Sequence, residues 1–313
     1  MTITILGSGA FGTALAITLA TNDDIILVAR DAKTAAQIDA DRENKRRLPG
    51  YKLPPNVTVT NKLPGEGTVL IATPTQQLST ILLQEQTALR NRPLIACCKG
   101  VDLKSGLGPV GLMQKADLGG TIGILSGPSF AKDIAAGLPT ALTLATSDEG
   151  TNLQNALSTP TLRLYLTDDW LGVELGGALK NVIAIACGVA IGSGLGESAR
   201  AAILTRGFSE MRTYAEALGA RADTLMGLSG LGDLTLTASS ETSRNFRYGL
   251  GIGAGNTWTS EETVEGAATA KAMASLNRGD MPIIETVAAL VDKQITVQDA
   301  VKSLLNRPLK KES

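Results

Sequence analysis

The sequence predicts an α/β protein in which a doubly wound, mostly parallel sheet is followed by an all-α C-terminal domain. Short apolar runs alternate with helical stretches in the first half of the 313 residues, a pattern typical of sheets built from βαβ units. From Asp168 onward, long segments with helical periodicity succeed one another, with glycine-rich breaks between them and no convincing strand. We therefore expect one domain at residues 1–166 and a second at residues 167–313.

The predicted elements begin with a βαβ unit. Residues 2–6 form an apolar strand, a glycine-rich turn leads into an alanine-rich helix, and a second strand begins at Ile25; this is the size expected of such a unit. The predicted strands are residues 2–6, 25–29, 57–60, 68–72, 94–97, 122–125, 140–145 and 162–166, and the long C-terminal helices are residues 172–192, 197–218, 262–276, 283–291 and 297–306.

The composition excludes several classes of function. A net charge of −1 provides no general attraction for nucleic acid or an anionic membrane, and the apolar run at 182–191 is too short to span a bilayer. We therefore expect neither a nucleic-acid partner nor membrane insertion. The cysteine count is odd and two of the cysteines, Cys97 and Cys98, are adjacent. This usage favours a reducing, cytoplasmic setting.

The sequence contains no histidine. This absence excludes a Ser-His-Asp or Cys-His nucleophile, the usual zinc site and a histidine acid/base. No spacing of metal ligands is present either, so we expect no metal. Any proton transfer has to use Lys, Asp, Glu, Tyr or Cys.

Gly7, Gly9 and Gly12 form the pattern G-x-G-x-x-G between the first strand and the first helix. In this context the glycines allow a tight turn, the approach of a pyrophosphate to the backbone, and close packing of helix on strand. The helix N-terminus supplies N–H groups to the anion. The pattern predicts a Rossmann-type dinucleotide site, with a purely structural glycine turn as the alternative.

Arg30 and Asp31 follow the second strand, where such sites contact the adenosine ribose. An arginine suits the 2′-phosphate of NADPH, whereas an aspartate suits the free hydroxyl of NADH. Because the arginine comes first after the strand, NADP(H) is slightly favoured as the cofactor, and NAD(H) stays open. A solvated charge at the end of a strand is the alternative for Arg30.

Lys180 lies in the helix predicted at residues 172–192, where Glu174 is the other charged residue. A helix that is apolar on nearly every side is expected to be buried. A lysine in such a helix is expected to have a charged partner or a functional role. Desolvation near other cations would lower the pKa of Lys180 and suit it to acid/base catalysis. The alternative is a side chain that extends to solvent. The neighbours on its helical face are small and leave room for a ligand: Gly176, Gly177, Ala184 and Gly188.

Other candidate residues lie at strand ends and helix starts. Lys99 follows a predicted strand, and residues 73–75 (Thr-Pro-Thr) follow another and are candidates for the wall of the nicotinamide pocket. Ser243 is predicted to be a helix N-cap, so that Arg244 and free N–H groups meet an anion together. Asn181, next to Lys180, is a candidate to orient substrate or cap a loop.

Motifs of one family are spread in order over nearly the whole chain. They lie at residues 7–16, 48–56, 99–102, 126–141, 172–188, 200–211, 227–237, 243–249 and 264–270. The most specific are the helix with Lys180 and Asn181 and the GLGDL…SRN stretch, formed by residues 230–234 and 243–245. With these motifs the chain resembles the bacterial type of NAD(P)-dependent glycerol-3-phosphate dehydrogenase.

The resemblance implies that Lys180 protonates the ketone of dihydroxyacetone phosphate as hydride arrives from the nicotinamide. It implies a small phosphorylated three-carbon substrate, NADPH or NADH as cofactor, and a cytoplasmic role in glycerophospholipid synthesis. The implied substrate contacts are Lys99, Gly127, Ser129, Asp233, Ser243, Arg244 and Asn245. The cofactor contacts are Gly7, Gly9, Ala10, Phe11, Gly12, Arg30, Lys99, Ala131, Arg244 and Glu265.

Two departures from the family pattern concern substrate packing: Cys98 stands where threonine is expected, and Ala267 and Ala268 replace bulkier residues. A lysine-dependent β-hydroxyacid dehydrogenase is an alternative function, against which the GLGDL…SRN stretch argues. A non-catalytic dinucleotide sensor is another, although it would not need Lys180. The Ala/Gly-rich helical domain is also a candidate surface for a homodimer.

Overall fold

A computed structural model describes residues 2–146, 150–260, 263–276 and 280–305. The strands are β1 Ile3–Leu6, β2 Ile25–Val28, β3 Val57–Thr60, β4 Thr68–Ile71, β5 Leu94–Ala96, β6 Ile122–Ser126, β7 Thr140–Thr146 and β8 Leu162–Thr167. They form one sheet in the order β3-β2-β1-β4-β5-β6-β7-β8. Every neighbouring pair is parallel except β6 and β7. The predicted mostly parallel, doubly wound sheet is therefore confirmed.

Helices connect the strands and make up most of the chain after β8. Those of the sheet region are α1 Ala10–Leu19, α2 Ala32–Asp41, α3 Thr75–Gln84, α4 Gln86–Leu89, α5 Pro109–Ala116, α6 Ala131–Ala135 and α7 Gly150–Leu157. The remainder are α8 Trp170–Gly192, α9 Gly196–Ala217, α10 Ala222–Met226, α11 Asp233–Thr237, α12 Arg244–Gly253, α13 Glu265–Leu276, α14 Pro282–Val291 and α15 Val297–Leu305, with a π-helix at Leu228–Gly232.

The predicted strands and long helices are found within a few residues of their expected bounds. Positions 262 and 306, at the predicted ends of two helices, lie outside the described residues. The stretch between the helices predicted at 197–218 and 262–276 contains further helices, among them a π-helix at Leu228–Gly232 that leads directly into α11. Glycine is needed there because a Cβ at Gly230 would lie 2.0 Å from the carbonyl oxygen of Leu225.

The chain divides into two compact units, Met1–Lys99 with Leu107–Glu174, and Gly100–Gly106 with Leu175–Ser313. In the first unit the sheet has an apolar cluster on each face. Leu70 of β4 belongs to one cluster, and its neighbours Val69 and Ile71 belong to the other, as the alternation of side chains along a strand requires. The domain boundary at residues 166/167 stays a prediction.

Helix α8 is the most apolar long helix among the described residues. Its length and composition would allow it to cross a membrane, but 89% of its most apolar window is buried inside the protein. That burial is the behaviour of a core helix. Almost every residue from Gly172 to Ala190 has little or no exposed surface, so a charged group in this stretch has to be satisfied by protein neighbours.

Glu174 fastens the first turn of α8 to the start of α5. Its Oε2 accepts a hydrogen bond of 2.6 Å from the Val110 backbone N–H, and the Gly111 N–H also contributes. A Cβ at Gly108, the residue before α5, would lie 2.1 Å from the Glu174 carboxyl carbon. The carboxyl group therefore satisfies the unpaired N–H groups of a helix start from a buried position.

Burial raises the pKa of Glu174 to about 7, although the hydrogen bonds from Val110 and Gly111 act in the opposite direction. A carboxyl group whose pKa is higher in the folded state than in the unfolded state holds its proton longer in the folded state. This contribution to the free energy of unfolding is therefore fully present below about pH 4.5 and is lost as the pH rises to about 7.

We expect Glu174→Gln to flatten the pH dependence of stability between about pH 4.5 and 7, because a glutamine keeps an acceptor for the helix N–H groups and does not titrate. The measurement is urea unfolding of wild type and variant across this range. The free energy of unfolding of the wild type is expected to fall relative to that of the variant by about 1–3 kcal/mol. Parallel curves for the two proteins would contradict the assigned titration.

Candidate active site

At two positions of the glycine turn between β1 and α1, the surrounding backbone leaves no space for a side chain. Gly7 has a φ of +119°, and a Cβ there would lie 2.9 Å from the backbone of Ala72. A Cβ at Gly12 would lie 2.0 Å from the Gly7 carbonyl oxygen. Both positions therefore exclude a side chain for reasons of backbone conformation and packing.

Gly9 differs, because the nearest atom that a Cβ there would meet is the Ala72 carbonyl oxygen at 4.0 Å. The protein thus has room for a side chain at a position where the sequence keeps glycine. Gly9 is the N-cap of α1, and no side chain caps that helix. Open space in front of an uncapped helix N-terminus fits a dinucleotide pyrophosphate.

Three residues predicted as cofactor contacts lie together beside the turn. Ala10 and Phe11 of α1 and Ala131 of α6 pack against one apolar cluster, whose buried members include Ala14 and Ile134. The sequence separates Ala131 from the turn by more than a hundred residues, so this grouping is a product of the fold.

Arg30 and Asp31 follow β2 and have different environments. The Arg30 side chain is 84% exposed and its Nε lies 3.5 Å from the Asp31 carboxylate. Asp31 is the N-cap of α2, where its carboxylate accepts the Thr34 N–H at 2.8 Å and the Thr34 hydroxyl at 3.0 Å. These bonds lower the pKa of Asp31. The acidic side chain is therefore used by a helix start, and the arginine extends from the strand end.

Lys99, Gly127 and Ser129, all predicted substrate contacts, are brought together at the ends of β5 and β6. The Gly127 carbonyl oxygen accepts hydrogen bonds from Lys99 Nζ at 3.3 Å and from the Ser129 hydroxyl at 3.5 Å. Gly127 has a φ of +149°, a value that favours glycine. An ammonium group at the carboxyl edge of a parallel sheet suits an anionic ligand.

The predicted nicotinamide wall lies close to the glycine turn. Thr73 Cγ2 would be 3.0 Å from a Cβ at Gly7. Thr73 and Thr75 each have a buried hydroxyl oxygen without a hydrogen-bond partner among the described residues. Polar atoms of this kind are expected to find a partner, so a ligand is one explanation for them.

In the second unit, Lys180 is buried and held by two side chains of α11. Its Nζ donates hydrogen bonds of 2.8 Å to Asp233 Oδ1 and 2.7 Å to Thr237 Oγ1, and the Thr237 hydroxyl donates in turn to Asp233 Oδ1 at 3.1 Å. The three side chains form a closed triangle. Lys180 is 6% exposed and Asp233 1%, so this is an ion pair removed from bulk water.

The ion-pair partner of the Lys180 ammonium group is the carboxylate of Asp233. One expectation about the surroundings of Lys180 was wrong. The small residues on its helix leave no open space at two positions, because neighbouring backbone fills it. A Cβ at Gly176 would lie 2.8 Å from the Ser229 carbonyl oxygen, and one at Gly188 would lie 2.2 Å from that of Phe246. These glycines serve helix packing.

Thr237 was missed by sequence reasoning. It lies one helical turn after Asp233, and residues four apart share a helix face. The spacing is therefore a usable signal once Asp233 has been identified. No feature of the sequence distinguishes this threonine before then.

A second polar cluster joins three helices of the same unit. Asn245 of α12 donates from Nδ2 to Asn181 Oδ1 at 2.8 Å and accepts the Gly266 N–H on Oδ1 at 3.0 Å. Ser243 is the N-cap of α12, as predicted, with its hydroxyl accepting the Phe246 N–H at 3.3 Å. Asn181 therefore contacts a side chain of α12, next to the predicted anion-binding start of that helix.

Glu265, the first residue of α13, has a largely buried carboxylate. Burial raises its pKa to about 7, and the positive charge of Arg244 acts against this rise. Its Oε2 has no hydrogen-bond partner among the described residues. A buried carboxylate oxygen without a donor is an expected feature of a ligand site, where a hydroxyl would supply the bond.

The predicted site residues thus form separate groups. Lys99, Gly127 and Ser129 share contacts in the first unit, as do Ala10, Phe11 and Ala131, whereas Lys180, Asp233, Asn245 and their neighbours belong to the second. No group of three or more potential metal ligands occurs in the described parts of the chain. The chemistry on offer is that of an ammonium group, carboxylates, hydroxyls and a pyrophosphate turn.

Comparison with known proteins identifies the family. Residues 2–152 match the model of the N-terminal part of NAD-dependent glycerol-3-phosphate dehydrogenase, and residues 169–302 match that of its C-terminal part. The chain belongs to the NAD-dependent glycerol-3-phosphate dehydrogenase family. The resemblance found in the sequence is thereby confirmed, with an NAD(P)-dependent oxidoreductase as the class of protein.

Individual relatives match the sequence of this chain over their whole length. The chain is 52% identical over 320 residues to glycerol-3-phosphate dehydrogenase [NAD(P)+] of Ruegeria sp. (strain TM1040), covering all of both chains. It is 55% identical over 318 residues to the enzyme of the same name from Cereibacter sphaeroides, covering 99% of this chain and 100% of the relative. A solved glycerol-3-phosphate dehydrogenase from Coxiella burnetii is 32% identical, with a TM-score of 0.93 over 98% of this chain and 99% of that one.

We expect Lys180→Met to lower the free energy of unfolding by about 3 kcal/mol or more, because the Asp233 carboxylate would be buried without its ammonium partner. The double variant Lys180→Met/Asp233→Leu, which removes both charges, is expected to recover most of this loss. Urea unfolding at pH 7, followed by circular dichroism, measures both. A single variant within about 0.5 kcal/mol of wild type would show that the pair contributes little.

Proposed function

We propose that this chain interconverts dihydroxyacetone phosphate and sn-glycerol 3-phosphate with NADPH or NADH, using Lys180 as the acid/base. The buried triangle of Lys180, Asp233 and Thr237 is the observation that carries the proposal. It holds one proton-bearing group in a fixed position, as general acid catalysis requires. Family membership favours this reaction over the β-hydroxyacid dehydrogenase and the non-catalytic sensor.

In the reduction, a ketone gains a hydride at carbon and a proton at oxygen and becomes a secondary alcohol. When bound, a nicotinamide cofactor would supply the hydride in its reduced form and would accept the hydride in its oxidised form for the reverse reaction. Lys180 donates the proton from Nζ to the carbonyl oxygen, and Asp233 and Thr237 keep Nζ in place. In the oxidation Lys180 takes the proton from the substrate hydroxyl, and the same two side chains hold the amine.

The substrate phosphate is assigned to the start of α12. Ser243 shapes the N-terminus of this helix, Arg244 is exposed, and the helix dipole favours an anion there. Asn245 is engaged with Asn181 and Gly266, which fixes its position relative to Lys180. Lys99, Gly127 and Ser129 are proposed as the substrate contacts of the first unit, and Asp233 as the acceptor of a substrate hydroxyl in addition to holding Lys180.

The cofactor is assigned to the glycine turn, with Ala10, Phe11, Arg30, Ala131 and Glu265 as its further contacts and with Lys99 and Arg244 near both ligands. The open space at Gly9 supports the pyrophosphate position. The unpartnered Oε2 of Glu265 supports a contact to a cofactor hydroxyl. A cytoplasmic role in supplying glycerol phosphate for lipids, and a homodimer, complete the proposal.

The direct test measures oxidation of NADPH and of NADH by their absorbance, with dihydroxyacetone phosphate as substrate. We expect Lys180→Ala to lower kcat by about a hundredfold or more and to leave cofactor affinity nearly unchanged, since the lysine acts on the carbonyl oxygen. Lys115→Ala, at an exposed lysine, is the matched control and is expected to retain full activity. Unchanged turnover in Lys180→Ala would remove the lysine from the mechanism.

We expect Arg30→Ala to reduce the preference for NADPH over NADH, measured as the ratio of the two kcat/KM values, by about tenfold. The reason is that Arg30 extends from the strand end while the Asp31 carboxylate caps α2. Arg90→Ala, at an exposed arginine of the same unit, is the control. An unchanged ratio in the Arg30 variant would mean that the arginine does not contact a 2′-phosphate.

A further inference from the structure

Asn44 is a buried polar residue to which the sequence pattern assigned no function. It lies in the segment between α2 and β3, outside any helix or strand, and is only 3% exposed. Its side chain reaches the glycine turn, 36 positions earlier in the sequence. A buried amide in a loop needs partners for its donors and acceptor, and the identity of those partners is informative.

The side-chain amide of Asn44 forms hydrogen bonds through its nitrogen and through its oxygen. Its Nδ2 donates hydrogen bonds of 2.9 Å to the Ser8 carbonyl oxygen and of 2.9 Å to the Thr13 hydroxyl. Its Oδ1 accepts the Arg47 backbone N–H at 3.2 Å. Two donor hydrogens and one acceptor thus tie the loop to the turn through Ser8 and to the helix α1 through Thr13, which is itself fully buried.

The bond to Ser8 fixes the orientation of one peptide unit. In a trans peptide the C=O and the following N–H point in opposite directions. Because the Ser8 carbonyl points to Asn44, the Gly9 N–H points away from Asn44. In the described residues no backbone carbonyl accepts that N–H, and Gly9 is the position where the protein leaves open space.

We propose that Asn44 is a positioning residue for cofactor binding: it holds the Ser8–Gly9 peptide so that the Gly9 N–H faces the dinucleotide pyrophosphate. The inference rests on the proposed function for the identity of the cofactor. It adds a residue that supports the turn from behind without touching the ligand. Loss of this support leaves the peptide free to rotate, and ordering it again on binding lowers cofactor affinity.

Asn56 provides a matched control in the same unit. Its Nδ2 also donates two hydrogen bonds, in this case to the carbonyl oxygens of Ala20 and Asp23 at 2.8 and 2.9 Å. These partners lie after the C-terminal end of α1, at the opposite end of the helix from the turn. Asn56→Ala therefore removes a comparable pair of bonds without touching the Ser8–Gly9 peptide.

The experiment measures the Kd of NADPH by fluorescence titration without substrate, and then kcat and the KM for dihydroxyacetone phosphate at saturating NADPH. We expect Asn44→Ala to raise the Kd of NADPH by about tenfold, with kcat at saturation within about twofold of wild type. Asn56→Ala is expected to keep the wild-type Kd. A purely structural role would lower the melting temperature of both variants and leave the two Kd values alike, which would overturn the proposal.

A second variant covers the case in which Asn44→Ala does not fold. Asn44→Ser keeps one hydroxyl donor but is too short to reach both partners, and it is expected to show the same direction of change in Kd. The rise in melting temperature on adding NADPH is then compared with that of Asn56→Ala; equal rises would contradict the proposal. Because binding is measured without substrate, a wild type that binds NADPH but does not reduce the ketone would refute the proposed reaction and leave this test intact.

Discussion

The ion pair between Lys180 and Asp233 is the constraint on which the second unit depends. An ammonium group inside an apolar helix loses its hydration, and only a close opposite charge with additional hydrogen bonds offsets that cost. Asp233 and Thr237 provide both. Helix α11 therefore has to lie directly beside α8, and the residues around this contact are chosen for close approach rather than for their own propensity.

The glycines of the second unit make that approach possible. Gly176 on α8 faces the backbone of Ser229, so a methyl group there would push α8 away from the π-helix. Gly230, within the π-helix, faces the carbonyl oxygen of Leu225 in α10, and a methyl group there would push α10 away. The π-helix at Leu228–Gly232 leads directly into Asp233. The wider turn of a π-helix changes which residues face a neighbouring helix, and such turns are frequent at functional sites. The local cost of the glycines is thus offset by the ion pair that they allow.

Local sequence patterns predict much of this molecule, and contacts between distant segments account for the rest. The strands, the glycine turn and a lysine in a buried apolar helix can each be recognised in a short window of sequence, and all three are found in the structure. The family resemblance identifies Asp233, but its direct bond to Lys180 crosses 53 positions. Thr237 and Asn44 are polar residues of ordinary type whose significance depends on such contacts. The π-helix at Leu228–Gly232 was not predicted because glycine disfavours helices in general, whereas close packing requires glycine at Gly230.

Each unit supports its own functional group by contacts within that unit. The glycine turn is backed by Asn44 and Thr13, which belong to the sheet-containing unit, and the ammonium group is held by α11 in the helical unit. Under the proposed function, such preorganisation means that neither the turn nor the lysine has to be ordered when a ligand binds.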